Sequence, residues 1–335
     1  MSNSPRFHLF ACNIPVAGAS KAIICDLQRS AHFEITLGLY SMITKGQGRT
    51  VAELKSEYPK EDADHIDEAL GMLVDAELGF FDDSDGEFPP LDLTHRTPEH
   101  ISNAIIDANA TSAHDYTALF DQLDELGCSH VELRFYDPVD ARAIDALLSR
   151  TKRSRLRSIE ITLPYAGWDD EAFDALCETH ARIATLNVFG APRTEMVTRQ
   201  SKWEVRFFQE KITSANDCGK IHPAYFGVNQ ATFSEAQTFN SCLNKKVGID
   251  IDGNIKNCPS HGKCHGKVGS ERLVNIVTKD SFRKPWHTAR DQVAVCKDCE
   301  YRYICTDCRV FVADPNDPLS KPAKCGYDPY TGQWQ

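Results

Sequence analysis

Within thirteen positions near the end of this chain stand four cysteines, as Cys296-Lys-Asp-Cys299, a gap of five residues, and Cys305-Thr-Asp-Cys308. Two residues between thiolates let both sulfurs reach one metal from a single turn, so each pair reads as a knuckle. A single Zn²⁺ on four sulfurs satisfies this spacing, and so does a four-iron cluster on four thiolates. The run predicts metal and does not choose between the two. Metal binding of this kind supplies much of the folding energy of loops with little apolar core of their own.

The rest of the composition narrows the setting. With 335 residues the chain is long enough for two or three small cores. No stretch approaches the length of an apolar membrane span, and the start, Met1-Ser-Asn-Ser-Pro-Arg6, lacks the apolar run of a secretory signal. The sequence therefore predicts a cytoplasmic protein with no membrane partner. In a reducing cytoplasm, clustered members of a set of 13 cysteines mean metal or redox chemistry rather than disulfides. A net charge of -11 argues against nucleic acid as a partner. The charge is uneven, because residues 243–325 carry more Lys and Arg than Asp and Glu. A basic shell of that kind offsets an anionic cluster.

Residues 1–85 predict a small α/β unit. Residues 7–10 and 22–27 read as strands joined by a turn at 17–19, and 37–43 as a short helix. A longer helix over 63–78 carries Ile66, Leu70, Leu73 and Val74 as one apolar stripe. Phe80-Phe81 begins a further strand before the acidic turn 82–86, which lacks the ring of carboxylates that a calcium site needs. Strands, helices and a wing-like hairpin give a winged-helix outline, and 82–90 reads as a linker. From 95 to 212, apolar strands at 130–135, 157–163 and 183–189 alternate with helices over 141–149 and 169–179, and 203–207 supplies a fourth strand. This βα repetition predicts a parallel sheet. About four repeats are too few for a closed eight-fold barrel, so the expectation is a truncated, partial (β/α) barrel. From 213 to 335 the chain is loop-rich and cysteine-dense. Its clearest element is a hairpin of 246–251 and 254–258 around Asp252-Gly253, a two-residue turn that favours type I′ geometry. In that register Val247 faces Cys258, and Cys242 and Cys258 share the open end.

The wider cysteine pattern is Cys242, ten residues, Gly253, four residues, Cys258, a gap, the run from Cys296 to Cys308, another gap, and Cys325. It resembles the SPASM domain, the C-terminal extension of radical enzymes that modify peptides. The usual last spacing of that family has three residues between cysteines, whereas Cys305 and Cys308 are separated by two. The resemblance implies a cysteine-rich C-terminal iron–sulfur domain with two auxiliary [4Fe-4S] clusters and interleaved ligands. One cluster would take Cys296, Cys299, Cys305 and Cys325. The other would take Cys242, Cys258 and Cys308, with a fourth ligand from Cys218, from Cys264 in His261-Gly-Lys-Cys-His265, or left open. Cys218 is preferred, because related clusters draw their remaining sulfur from upstream of the hairpin. Zinc remains the alternative to clusters.

The SPASM domain normally follows a radical S-adenosylmethionine barrel, whose catalytic cluster sits on Cys-x3-Cys-x2-Cys after the first strand. This sequence contains no such triplet. Cys12, Cys25, Cys128 and Cys177 are far apart, and the last two read as buried small hydrophobes. No residues for binding S-adenosylmethionine are expected, and no radical activity. A SPASM pattern without that motif resembles the SPASM-domain partner protein of the "grasp-with-spasm" peptide-maturation systems, most specifically over 257–260, 296–309 and 320–330. The resemblance implies a maturation protein for a ribosomally synthesised peptide, acting with a precursor peptide and an ATP-grasp ligase. Its alternative is a non-enzymatic adaptor that presents the peptide to the ligase and whose metal centres are structural. On either view the winged-helix-like unit would bind the leader by adding it as a strand to a sheet edge, raising the local concentration of the rest of the peptide. The sequence has no Gly-x4-Gly-Lys-Ser loop, so ATP chemistry falls to the partner. Glu132, Arg134, Glu160 and Thr162 alternate with apolar residues along the βα strands, and they line a residual barrel cavity, are solvated or are paired. No complete catalytic constellation is visible, and the catalytic residues stay unknown.

Overall fold

Two units fold from alternating parts of the chain. One comprises Met1–His95, Ile221–Ser241 and Thr288–Gln335, the other Arg96–Lys220 and Cys242–His287. The segment 213–335, read from sequence as one domain, contributes to both. The computed structural model describes residues 5–60, 63–83, 88–199 and 203–335. Residues 84–86 of the acidic turn, and 84–87 of the linker, lie outside the described residues.

In the first unit, β1 (Arg6–Leu9) pairs antiparallel with β5 (Gly79–Asp82). Between them in sequence, β2 (Asn13–Ala17), β3 (Ala22–Asp26) and β4 (Ala31–Ile35) form an antiparallel meander. The turn at 17–19 thus joins β2 to β3, not the strand 7–10 to the strand 22–27. Strands β2 and β4 escape a reading by apolar runs because Pro15 and the polar Asn13, His32 and Glu34 break them up. Three helices follow β4, namely α1 (Leu37–Gly46), α2 (Val51–Ser56) and α3 (Ala63–Asp75). Thr36 caps α1 by accepting from the Leu39 N–H, and Thr50 with Glu53 closes a capping box on α2. All five positions of β3 are buried, and alternation along the strand sends neighbours to opposite faces. Ile24 joins a core with Met42, Leu54, Leu70 and Leu73 from the helices. Ile23 and Cys25 join a second core with Phe233, Tyr301, Ile304, Cys305 and Cys308. One strand therefore seats helices on one side and cysteine-bearing loops on the other.

The second unit is built on a sheet with six parallel strands, two more than the sequence reading. Strands β6 (Asn103–Ala108), β7 (His130–Phe135), β8 (Ser158–Pro164), β9 (Ile183–Phe189) and β11 (Trp203–Phe208) run parallel, and β12 (Lys246–Ile249) joins parallel beside β6. Antiparallel strands β10 (Glu195–Arg199), β13 (Asn254–Lys256) and β14 (Gly266–Lys267) complete it. Helices α4 (Tyr116–Glu125), α5 (Ala141–Ser149) and α6 (Asp170–Thr179) are each started by an aspartate, Asp115, Asp140 and Asp169, whose carboxylate accepts a first-turn N–H. The pair β6 and α4 went unread because a short apolar run such as 103–108 does not declare its type by periodicity.

Register gives this sheet two unlike faces. Ile249, Ile106, Leu133, Ile161, Leu186 and Val205 line up as one apolar rung across six strands. The same face meets the helices, where Phe173 of α6 stands edge-on to Phe207 at 5.6 Å. The alternate face carries polar rungs, Asp107 with Arg134, Thr162 and Asn187, and Glu132 with Glu160 and Thr185. These side chains are paired, which resolves the open reading of Glu132, Arg134, Glu160 and Thr162. Arg134 Nε donates to Asp107 at 2.6 Å, and Asn187 Nδ2 to Glu160 at 2.6 Å.

The hairpin of β12 and β13 is one residue out of step with its expected register. Gly248 pairs with Lys256 and Ile249 with Ile255, so Val247 does not face Cys258. The reason is the loop. Gly253 has φ +80°, and the Asp250 carboxylate accepts from the N–H groups of Asp252 and Asn254, at 3.1 and 2.8 Å. A turn held by an Asx side chain and closed by a left-handed glycine spans three residues instead of two. Among the described residues no helix is long and apolar enough to cross a membrane.

Candidate metal centres

Four of the eight singled-out cysteines line one hollow in the first unit. Cys296, Cys299, Cys305 and Cys325 share its wall with Tyr301, Tyr327 and Trp334. Cys296 opens a short 3₁₀ turn, Cys296–Asp298, and Cys299 closes it, which is how two residues between thiols bring both sulfurs to one side. Just before it, Val295 has φ 68° and ψ -45°, and the Cys296 N–H reaches back to the Ala294 carbonyl at 2.8 Å. That is a γ-turn of the strained kind, uncommon for a β-branched residue, and it aims Cys296 inward. Cys325 arrives from the far end of the chain and is held by a parallel bridge to Ile221.

Electrostatics distinguish this hollow from an ordinary cluster of buried thiols. The charged residues among those that line it are Arg290, Arg302 and Lys321, all cations. Burial pushes the Cys305 thiol up to about 12, with Arg290 pulling the other way, and burial likewise raises Cys296 and Cys299. With their thiols raised, Cys296, Cys299 and Cys305 are neutral near pH 7 and give the buried cation Arg290 no counter-charge on that side. As thiolates on a metal they supply it, so the donor set fits an anionic metal–thiolate group. The hollow measures only about 30 Å³, room for a water or two. Among the described residues no three His, Cys, Asp or Glu side chains are placed to hold one metal ion.

A second set lies in the other unit. Cys218 ends the 3₁₀ turn Ala215–Asp217, Cys242 precedes β12, and Cys258 follows β13. Their thiols act on one another. Burial raises the Cys258 thiol to about 12, and Cys242 and Cys218 add to the shift. Lys246 Nζ stands 3.6 Å from the Cys242 sulfur. Burial alone would lower its pKa, but Cys242, Cys258 and Cys218, with Glu132, raise it to about 12. Desolvation also raises the Cys218 thiol, against the pull of Arg134. Cys218 and Cys264 are both exposed, and the Cys264 thiol donates to the Gly266 carbonyl at 3.2 Å. Cys308 belongs to the first unit and sits in the core that Ile23 and Cys25 share. Cys128 and Cys177 are fully buried.

Sequence reasoning missed a cavity of about 730 Å³ in the second unit. Asp107, Tyr136, Pro164, Phe189 and Asp250 place it over the carboxyl ends of β6, β7, β8, β9 and β12, where parallel sheets bind ligands. Ala215, Asn216 and Pro259 in its wall are close in sequence to Cys218 and Cys258. Its charges are mixed. Asp107 accepts from Arg134 and, at 2.8 Å, from the Tyr136 hydroxyl, and burial still raises its carboxyl. Burial would raise Asp250 too, but Lys256 at 2.9 Å and Asn254 hold it below the usual carboxylate range. The only advance sign was Asp107 at the end of an apolar run; Lys246, Arg290 and Lys256 carry no motif.

No protein-family model matches the chain, and no curated protein matches it. Among solved structures it is similar to Streptococcus suis SuiB bound to S-adenosylmethionine, at 11% identity over 94% of this chain and 98% of that chain, with a TM-score of 0.42. SuiB bound to the precursor peptide SuiA gives 11% identity over the same shares and a TM-score of 0.43. At these scores the likeness carries no argument about fold or function.

Proposed function

We propose that this chain is an iron–sulfur maturation protein for a ribosomally synthesised peptide, working with an ATP-grasp ligase and not itself cleaving S-adenosylmethionine. The observation that carries the metal part is the hollow of the first unit, whose wall combines four thiols with three cations. Four thiols satisfy either Zn²⁺ or a cluster, and the SPASM-like cysteine pattern is what favours the cluster. On this reading one [4Fe-4S] cluster takes Cys296, Cys299, Cys305 and Cys325. A second centre takes Cys242 and Cys258, and Cys218, whose charge acts on the Cys258 thiol, is preferred to Cys264 as a further ligand.

The peptide part rests on the SPASM-like pattern, and the cavity offers a place for the peptide. Asp107, Asp250, Lys211 and Lys256 with Tyr136 and Tyr165 suit an extended chain of mixed character better than a compact anion. Residues 1–85 would hold the leader along an edge strand, β2 or β4, of the meander. A second reading, an adaptor with structural centres, draws support from the packing of Cys299, Cys305 and Cys325 in a core with Ile23 and Tyr301.

The test combines precursor peptide, ligase and ATP, with and without the iron-loaded chain, and reads the peptide mass. A new mass that requires the chain is expected, with no deoxyadenosine when S-adenosylmethionine is added. Deoxyadenosine release, or a product formed equally well without the chain, contradicts the proposal. Product formation that survives replacement of the iron by zinc selects the adaptor.

A further inference from the structure

Arg290 aims its two terminal nitrogens at two of the four sulfurs. It is 3% exposed and opens the 3₁₀ turn Arg290–Gln292. Nη1 donates to Cys296 Sγ at 3.1 Å, and Nη2 donates to Cys305 Sγ at 3.1 Å and to the Thr306 carbonyl at 2.6 Å. On its other side the Asp307 carboxylate stands 3.5 Å from Nε, but the same oxygen accepts from Arg309 Nε at 2.8 Å. Arg290 Nε has no hydrogen-bond partner among the described residues. One buried carboxylate thus lies between two guanidinium groups, and the terminal nitrogens of Arg290 turn their hydrogen bonds to the sulfur side. Cys296 and Cys305 belong to different knuckles, so this fork is what spans them. A guanidinium is planar, always charged and rigid in its donor spacing, which a lysine ammonium does not reproduce.

We propose that Arg290 is the positioning residue of the four-cysteine centre: it sets the spacing of Cys296 and Cys305 before metal arrives and makes a bound cluster easier to reduce. The proposal rests on the cluster reading above. Two N–H···S bonds and a fixed positive charge both favour the form that holds one more electron. That electron comes from a low-potential one-electron donor, the centre becomes more negative by one charge, and no proton is taken up, because the guanidinium is already charged.

The experiment is a redox titration, with electron paramagnetic resonance as the readout, of the anaerobic full chain, Arg290→Lys and Arg290→Gln, alongside iron and sulfide per chain. Wild type is expected to show two waves. In Arg290→Gln one wave moves to lower potential, by about tenfold in the reduced-to-oxidised ratio, about 59 mV for one electron, while the other wave stays. Arg290→Lys keeps the buried charge, loads iron like wild type and shifts the same wave by less. Two waves that stay in place in Arg290→Lys, and in Arg290→Gln wherever it folds, overturn this inference alone. Equal loss of iron in both variants also overturns it, since that marks a packing role. A wild-type chain with no redox wave overturns the cluster reading itself and this inference with it.

Discussion

The two thiol sets of this chain solve different problems with the same side chain. Cys296, Cys299, Cys305 and Cys325 ring a tight hollow with cations in its wall, and one of those cations is hydrogen-bonded to two of the sulfurs. Cys242 stands beside Lys246 of β12, Cys258 and Cys218 act on the same ammonium, and residues near Cys218 and Cys258 line a large cavity of mixed charge. The first arrangement is tight and its wall carries cations alone, which suits a centre that holds loops together or stores an electron. The second leaves space beside it, which suits a centre that meets a substrate. Number of thiols, room and sign of charge separate the two, and spacing in sequence showed none of these.

The largest difference should appear on removing one sulfur from each set. Cys305 is buried in a core with Ile23, Tyr301 and Tyr327, so Cys305→Ser should both lose its metal and loosen that core, a cost of several kcal/mol for a structural centre. Cys258→Ser should lose metal with the smaller stability loss, because the sheet beside it has its own six-strand core. Thermal unfolding of both variants checks this; equal losses break the contrast. Next in size, Cys218→Ser should lower the iron content of the second set while Cys264→Ser leaves it unchanged, and the reverse result would transfer the fourth ligand to Cys264. A smaller effect concerns the cavity: Tyr165→Ala should weaken binding of the precursor peptide by about tenfold, in the range for losing an aromatic contact, with iron unaltered. Unchanged affinity in an isothermal titration would move the peptide elsewhere.

The smallest effect is a pH dependence. Lys256 and Asn254 hold the Asp250 carboxyl below its usual range. A depressed carboxyl stabilises the fold fully above its unfolded value, about 3.9, and that contribution fades as pH falls through the folded value. Asp250→Asn should therefore flatten the acid limb of the stability curve below about pH 4. An acid limb identical to wild type would show that the Asp250–Lys256 pair is solvated in solution.

How much of this was legible in the sequence follows from how local each signal is. The βα strands at 130–135 and 183–189 match β7 and β9 to the residue, since apolar runs at regular spacing have few other uses. The hairpin was legible, but its register was not, because it turns on the Asp250 side chain and a left-handed Gly253. The four-cysteine set was legible as a pattern, and the hollow does gather Cys296, Cys299, Cys305 and Cys325. What gives that hollow its character was not. Arg290 precedes the run without any motif, and Lys21 and Glu34 reach Tyr301 only because the meander folds back beside it. The cavity was invisible for the same reason: Asp107, Lys211 and Asp250 are far apart in sequence and meet only at the ends of paired strands.

The central claim, two thiolate centres of iron and sulfur, is tested most directly by counting metal in the anaerobically purified full chain. The account predicts brown protein with about eight irons and about as many acid-labile sulfides per chain. Colourless protein that carries only zinc, or no metal, would contradict it.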